Sequence, residues 1–288
     1  MESLAISQDN IQDNIKKRKT SMICLCIILA IVGVFMVLPI IWMFSTAFKL
    51  PQEVWNIPPT FFPKSPTLDN FRVVLADGMF FRYMLNSLFV GVVVTSISLF
   101  TSSISGYVFA KFNFWGRNIA FWLILSTFML PFQIIMIPLY ELVLKFGWSD
   151  SFRGLIIPMI CNPFGIFMIR QFMQGVPNDL LDAARIDGCR EFRIYWQIIL
   201  PLLRAPLSAL GIFYFMWNWD SFLWPLLVVK SDLMRTLPLG LAAFGEANFT
   251  RYHLVMAGSA ISVLPVIIVY FCLQKQIIQG VALTGMKI

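Results

Sequence analysis

Six long apolar stretches limit what this chain can fold into. The first runs from Met22 to about Phe48 without a charged residue, which exceeds the roughly 20 residues that a helix needs to cross a bilayer. The chain is 58% hydrophobic and 13% charged, too few charges to cover a water-soluble globule. We therefore predict an all-α, polytopic membrane protein with six transmembrane helices. The five later spans are predicted from about Tyr83 to Ala110, Ile119 to Leu142, Leu155 to Phe172, Ala205 to Val229 and Tyr252 to Leu273.

The segments between and beside the spans predict the topology. Residues 1–20 are polar and end in a basic cluster directly before the first span, which places the N-terminus in the cytoplasm by the positive-inside rule. Residues 50–82 are rich in proline and aromatic residues and are expected to form an external loop. With six spans in residues 21–278, the tail at 279–288 is also cytoplasmic. The expected topology is multi-pass, with both termini in the cytoplasm.

One polar stretch, the loop at 173–204, interrupts this apolar pattern. Seven charged residues stand between Asp179 and Arg193, and such charges keep a segment out of the bilayer. The remaining apolar residues recur at helical spacing on both sides of Gly188, which predicts a helix, a glycine turn and a second helix. Asn178 is the expected N-cap, and Pro201 is expected to stop the second helix. This hairpin either lies on the membrane headgroups or, lacking a core of its own to fill, docks its apolar face into another protein.

The spacing of small and acidic residues in the hairpin resembles a known family. Asp-Ala-Ala at 182–184, Asp-Gly at 187–188 and Leu-Pro at 200–201 are similar to the EAA loop of inner-membrane permeases of binding-protein-dependent ABC importers. Asp182 stands where that loop usually has Glu, and Cys189 where it usually has Ala. The resemblance implies a coupling helix that docks into the ATP-binding subunit. The implied coupling residues are Asp182, Ala183, Ala184, Asp187, Gly188, Leu200 and Pro201.

Three further stretches resemble the carbohydrate branch of that family: LPIIWMFSTAFK at the end of the first span, WNWDSFLWPL in the fifth, and the tail KQIIQGVALTGMKI. The implied solute is a sugar, an oligosaccharide or glycerol phosphate, moved by alternating access. The implied partners are a second homologous permease, two ATP-binding subunits and an external solute-binding protein. The spans are also expected to contact membrane lipid.

Polar side chains within the spans are candidates for the solute pathway or its gate. They are Gln133, Asn162, Asn218 and Asp220. Asp220 is alternatively a structural, hydrated acid near the end of its span. Prolines at 131 and 138 bend the third span, either to line a pathway or as a packing kink. The hydroxyl-rich second span indicates close helix packing, with solute contact as the other reading.

Several chemistries are absent from the sequence. The chain has no G-x-x-x-x-G-K-[ST] phosphate loop, so ATP hydrolysis is expected on a partner and this chain is not expected to be an enzyme. No catalytic residue, metal site or cofactor is expected. The five cysteines are expected to be free thiols. The net charge of +7 reflects basic residues beside spans, not a nucleic-acid surface. The alternatives are a secondary transporter whose ion site is Asp220 or Glu141, and a membrane scaffold that transports nothing.

Overall fold

The computed structural model describes residues 2–246 and 251–285, and every regular element in these ranges is a helix, as predicted. The α-helices in the described ranges are α1 (Glu2–Ala47), α2 (Asp69–Ala76), α3 (Gly78–Lys111), α4 (Arg117–Phe128), α5 (Phe132–Lys145), α6 (Phe152–Ile156), α7 (Pro163–Gln174), α8 (Asp179–Ile186), α9 (Glu191–Ile194), α10 (Leu200–Leu202), α11 (Arg204–Trp219), α12 (Leu223–Val228), α13 (Leu237–Glu246) and α14 (Tyr252–Gly285). Helix α1 includes most of the predicted polar tail.

The number of membrane spans depends on how two bent helix pairs are counted. Four segments of the described chain are long and apolar enough to cross a membrane: Ser21–Ala47, Gly78–Lys111, Phe152–Gln174 and Tyr252–Phe271. Two bent pairs, α4 with α5 and Glu191–Leu202 with α11, bring the number to six if each pair is one span. The predicted six spans are thus the upper count.

The third span is broken rather than gently bent. Helices α4 and α5 meet at 102°. Pro131 lies at the break with extended backbone, at φ −57° and ψ 133°, and it has no N–H to continue the hydrogen bonding of α4. Pro138 lies inside α5 without ending it. The bend therefore arises at one of the two prolines that the sequence indicated.

The fifth span differs from its prediction at both ends. Pro201 does not stop the preceding helix, which continues through a π-helical stretch, Tyr195–Ile199, to Leu202 and then turns by 75° into α11. A π-helical stretch widens the helix where a proline removes a hydrogen bond and crowds the preceding turn. At the other end α11 stops at Trp219, and a short α12 follows after Phe222.

Helices α3, α7 and α11 form the centre of the unit that comprises 72–250 and 261–288. The close packing expected of the hydroxyl-rich second span is present along one face of α3, where Ser98, Ser102 and Ser103 are buried. Ser102 Oγ lies 3.1 Å from the hydroxyl of Tyr214. Small residues permit this close approach.

The other unit comprises 1–71 and 251–260. The Lys49 side chain, just after α1, is buried, donates a hydrogen bond to the carbonyl of Thr60 and lies over the Trp42 ring at 4.4 Å. Burial lowers the pKa of Lys49, and nearby Glu53 partly offsets this. Glu53 in turn accepts from the backbone N–H of Ser65 at 3.1 Å. The segment after the first span is therefore folded around a buried cation.

Candidate functional site

The coupling hairpin, which we define as residues 179–202, is built around the turn at Gly188. The N–H of Gly188 donates to the carbonyl of Arg185, and the N–H of Cys189 donates to that of Ala184, both at 3.0 Å. These two bonds form a Schellman motif, which ends a helix through one left-handed residue. Gly188 takes that role with φ of 80°, as the sequence predicted.

Asn178 precedes α8 as predicted, but its side chain does not cap the helix. Its Oδ1 instead accepts a hydrogen bond from Lys111 Nζ at 2.8 Å, and the same ammonium group donates to the carbonyl of Val176. Lys111 is the last residue of α3. The entry to the hairpin is therefore held by the end of α3 instead of by a local cap.

The apolar face of the hairpin packs against its own chain, so the expectation that it lacks a core to fill is wrong. Leu181, Ala184 and Ile194 are buried in one cluster with residues of α3, α7 and α11. Ala184 therefore positions the hairpin. Leu200 is half-buried in the same cluster.

A polar network joins the two arms of the hairpin. Arg185 binds Asp182 Oδ1 through Nη1 at 2.8 Å and Glu191 Oε1 through Nε at 2.7 Å. Glu191 Oε2 also accepts a hydrogen bond from the Tyr107 hydroxyl on α3 at 3.1 Å. These bonds raise the pKa of the Arg185 guanidinium, with the hydrogen bond to Glu191 as the largest cause. The turn is thus fixed to α3 as well as to itself.

What remains exposed is the tip of the hairpin. Ala183, Asp187 and Gly188 are exposed, and two large apolar side chains project beside them, Ile186 at 87% exposure and Phe192 at 74%. Phe192 belongs to the apolar repeat of the second arm, but helical periodicity alone does not say which apolar positions face the chain's own core, so neither Ile186 nor Phe192 was predicted as a coupling residue.

A second site brings together two of the four predicted pathway residues. A pocket of about 520 Å³ lies among α4, α5, α11 and the breaks around them. Asn162 and Asn218 line it together with Phe128, Trp217 and Trp224. Gln133 and Asp220 are exposed and do not line it, and neither does Glu141.

Both asparagines are held in place by backbone hydrogen bonds. Asn162 Oδ1 caps α7 by accepting from the N–H of Phe164 at 3.0 Å, and Asn218 Nδ2 donates to the carbonyl of Tyr214 at 2.7 Å. Two rings of the aromatic lining contact each other, since the centroids of Phe132 and Trp224 lie 6.1 Å apart. Fixed amides beside aromatic faces suit a polar solute with apolar patches. Trp217 belongs to the run WNWDSFLWPL, in which only the polar residues Asn218 and Asp220 were predicted to contact the solute. The sequence alone does not show which tryptophans of the run face a pocket.

Comparisons with known proteins cover most of the chain. The family model described as "Binding-protein-dependent transport system inner membrane component" matches residues 98–283. The arabinooligosaccharides transport system permease protein AraQ of Halalkalibacterium halodurans is 36% identical over 94% of this chain and 99% of its own length. The lactose transport system permease protein LacG of Rhizobium radiobacter is 32% identical over 88% and 92%. The sn-glycerol-3-phosphate transport system permease protein UgpE of Yersinia pestis is 31% identical over 88% and 94%.

A solved structure shares the fold. It is the crystal structure of a bacterial ABC transporter involved in the import of the acidic polysaccharide alginate, which matches 88% of this chain and 95% of its own chain with a TM-score of 0.78 at 24% identity. The family model covers the hairpin and every residue that lines the pocket. The chain therefore belongs to the family of inner membrane components of binding-protein-dependent transport systems.

Proposed function

We propose that this chain is a permease subunit of an ATP-driven importer that moves a carbohydrate across the inner membrane. The names of three relatives support this solute class, since they transport arabinooligosaccharides, lactose and sn-glycerol-3-phosphate. The complex would contain a second homologous permease, two ATP-binding subunits and an external solute-binding protein. Both termini and the coupling hairpin lie on the cytoplasmic side in this proposal.

The exposed hairpin tip is the observation that carries the proposal. Ile186 and Phe192 lie on either side of the Gly188 turn, in a segment whose charges keep it out of the bilayer, so their exposed apolar surface faces water unless a partner protein covers it. Burying each contributes roughly 1.5–3 kcal/mol. The coupling surface would consist of these two residues with Ala183, Asp187 and Gly188, while Asp182 fixes the tip through Arg185.

The remaining coupling candidates act from behind this surface. Ala184 and Leu200 pack in the hairpin's own core. Pro201 lies at the bend that leads into α11. A movement of the hairpin tip would therefore be transmitted to α11 through this bend, and to α3 through the hydrogen bond between Glu191 and Tyr107.

The pocket is the proposed place of solute contact. The amides of Asn162 and Asn218 can exchange hydrogen bonds with sugar hydroxyls, and the faces of Trp217 and Trp224 can pack against sugar C–H groups. Gln133 and Asp220, outside the pocket, would act only where the pathway extends beyond it.

The decisive experiment is uptake of radiolabelled oligosaccharides into proteoliposomes that hold this chain with its co-purifying partners, with and without ATP inside. The proposal expects uptake that needs both ATP and the solute-binding protein. Uptake that is independent of ATP and is abolished by an ionophore would overturn the proposal in favour of a secondary transporter. Asp220 and Glu141 would then be the residues to test as its ion site.

The coupling surface has a separate test with a matched control. Ile186→Asp should prevent co-purification of the ATP-binding subunit, because it places a charge where an apolar contact forms. Ile57→Asp changes an isoleucine of similar exposure, 95%, in the loop after α1, and should leave co-purification intact. Retention of the ATP-binding subunit by the Ile186 variant would exclude the tip as its docking surface.

A further inference from the structure

The pocket among α4, α5 and α11 has an uncharged lining, and this narrows the class of solute that it can hold. None of the described residues that line it is Asp, Glu, Lys, Arg or His. Its polar side chains are two amides, two hydroxyls and one thiol, on Asn162, Asn218, Thr127, Ser221 and Cys161. A solute in this pocket therefore meets only neutral hydrogen-bonding groups and apolar surface.

Backbone contacts decide which end of each asparagine amide is left for a solute. Asn162 accepts from the N–H of Phe164 through Oδ1, so its Nδ2 keeps two N–H donors. Asn218 donates to the carbonyl of Tyr214 through Nδ2, so its Oδ1 keeps its lone pairs. Neither remaining atom has a hydrogen-bond partner in the part of the chain that the structure describes. The pocket thus offers donors on one asparagine and an acceptor on the other.

The hydroxyl groups add a second acceptor. Thr127 donates its only hydroxyl hydrogen to the carbonyl of Ile124 at 2.7 Å, so Thr127 Oγ1 can only accept from a solute. Ser221 Oγ has no partner among the described residues and can donate or accept. A sugar hydroxyl suits this mixture, because it donates to the oxygens of Thr127 and Asn218 and also accepts from the amide of Asn162.

An ionised carboxylate or phosphate does not suit the same lining. Its oxygens only accept, so they would face the lone pairs of Thr127 and Asn218 with no hydrogen between them. Asp220, two residues beyond Asn218, is an acid and offers an anion no counter-charge. The pocket also lies at the break between α4 and α5, midway along the third span, where an unpaired charge is costly.

We propose that the solute of this pathway is an uncharged oligosaccharide, and that the pocket rejects sugar acids and phosphorylated solutes because no cation lines it. This inference rests on the transport function proposed above and narrows its solute class. Among the relatives, those named for arabinooligosaccharides and lactose have neutral solutes, whereas the one named for sn-glycerol-3-phosphate has an anion. The solute of this chain is expected to resemble the first two.

Cys161 can report on the charge selectivity of the pocket, because its thiol is exposed and lines it. The chain, with its other four cysteines replaced by alanine and with its co-purifying partners, is treated with methyl methanethiosulfonate or with its anionic sulfonatoethyl analogue. Ile57→Cys in a chain without the native cysteines is the reference, since Ile57 is 95% exposed outside the pocket. Relative to that reference, the anionic reagent should react about tenfold more slowly at Cys161 than the neutral one.

Two lysine variants show whether the missing cation causes this selectivity. Ser221→Lys places a cation in the lining and should remove the tenfold difference. Gln171→Lys adds the same charge at an exposed position of α7 outside the pocket and should keep it. Equal relative rates in the chain without a lysine substitution would overturn the proposal. So would a Cys161 that reacts with neither reagent, with or without ATP, because such a pocket is closed to solute.

Uptake into proteoliposomes tests the solute class itself. Arabinotriose and lactose represent neutral solutes, and sn-glycerol 3-phosphate and trigalacturonate represent anions. We expect ATP-dependent uptake of neutral solutes alone. ATP-dependent uptake of an anion would overturn this inference and leave the importer intact, whereas ATP-independent uptake of a neutral sugar would overturn the importer and leave this inference intact. If no solute of this panel is taken up, the reaction rates at Cys161 decide.

Discussion

The Tyr107 hydroxyl donates a hydrogen bond to Glu191 Oε2 at 3.1 Å, and this bond ties the second arm of the coupling hairpin to the long helix α3. The other oxygen of Glu191 binds Arg185 in the first arm. One carboxylate therefore joins both arms to a transmembrane helix. A movement of the hairpin tip is expected to move α3 with it.

Tyr107→Phe removes this bond without changing the shape of the ring. A hydrogen bond to a charged carboxylate contributes about 1.5–3 kcal/mol, so thermal unfolding of the purified chain should show a loss toward the lower end of that range. In the reconstituted complex, solute transported per ATP hydrolysed should fall, because hairpin and α3 are less tightly joined. Tyr140→Phe is the control, since the Tyr140 hydroxyl forms no hydrogen bond within the described residues. Equal stoichiometry in both variants would exclude the role.

Gly165→Ala should destabilise the bundle strongly. An added Cβ would lie 1.7 Å from the Tyr214 hydroxyl and 2.6 Å from Ser102 Oγ, so α7 would have to move away from α3 and α11. The expected cost is about 3 kcal/mol or more, at the upper end for overpacking. Gly33→Ala, at a site with nothing within 4 Å, should change the unfolding temperature little. A folded Gly165 variant of unchanged stability would contradict the packing.

The parts of the fold that depend on apolar composition and on helix-breaking residues could be predicted from the sequence. Apolar runs gave the spans, Gly188 gave the turn of the hairpin, and Pro131 marked the site of the sharpest bend. The size of that bend was not predictable, because a proline removes a hydrogen bond but neighbouring helices decide the angle. The same holds for Pro201, where a π-helical stretch keeps the helix going.

The site was predictable only in part, because its contacts join residues far apart in sequence. Asn162 and Asn218 stood out as polar residues in spans and do share a pocket. Gln133 had the same signal but lies outside the pocket. No local sequence pattern indicates that Tyr107 forms a hydrogen bond with Glu191 or that Lys111 forms one with Asn178.

Asn218→Leu should impair transport by removing an amide from the pocket while keeping a side chain of similar size. The loss of one or two hydrogen bonds to a solute predicts an uptake efficiency lower by about tenfold. Gln133→Leu makes the same change outside the pocket and should leave uptake near the unmodified level. Uptake kinetics in proteoliposomes measure both. A larger loss for Gln133 than for Asn218 would place the pathway elsewhere.

The Asp150 carboxylate is expected to hold two connecting segments together in a pH-dependent way. Its Oδ1 accepts from the backbone N–H groups of Ser231 and Lys230, each at 3.0 Å, and these bonds lower the pKa of the Asp150 carboxyl below 3.8. A lowered pKa means that the carboxylate stabilises the fold fully above pH 3.8 and that this stabilisation is lost as pH falls through the folded-state pKa.

Amide hydrogen exchange at Lys230 and Ser231 checks the latch. After correction for intrinsic rates, protection should fall only in the acid range below pH 3.8. Asp150→Asn is the matched variant, because Asn tolerates the positive φ of 52° at this position and keeps an acceptor that does not titrate at these pH values. Its protection should be weaker and independent of pH. The same acid transition in the Asn variant would assign the titration to another group.

Gly188 allows a graded test of the coupling turn. Asparagine tolerates the left-handed conformation and should retain transport, whereas alanine pays roughly 1–2 kcal/mol for it. Proline cannot reach φ of 80° and also loses the N–H that bonds to Arg185. Gly188→Pro should therefore abolish solute uptake while the chain still inserts, because Gly188 itself is exposed and is not part of the buried cluster behind the hairpin. Solute uptake and co-purification of the ATP-binding subunit should fall in the order Asn, Ala, Pro, whereas membrane insertion, measured by fractionation, should stay the same in all three variants. Wild-type uptake by the proline variant would show that the turn has no part in coupling.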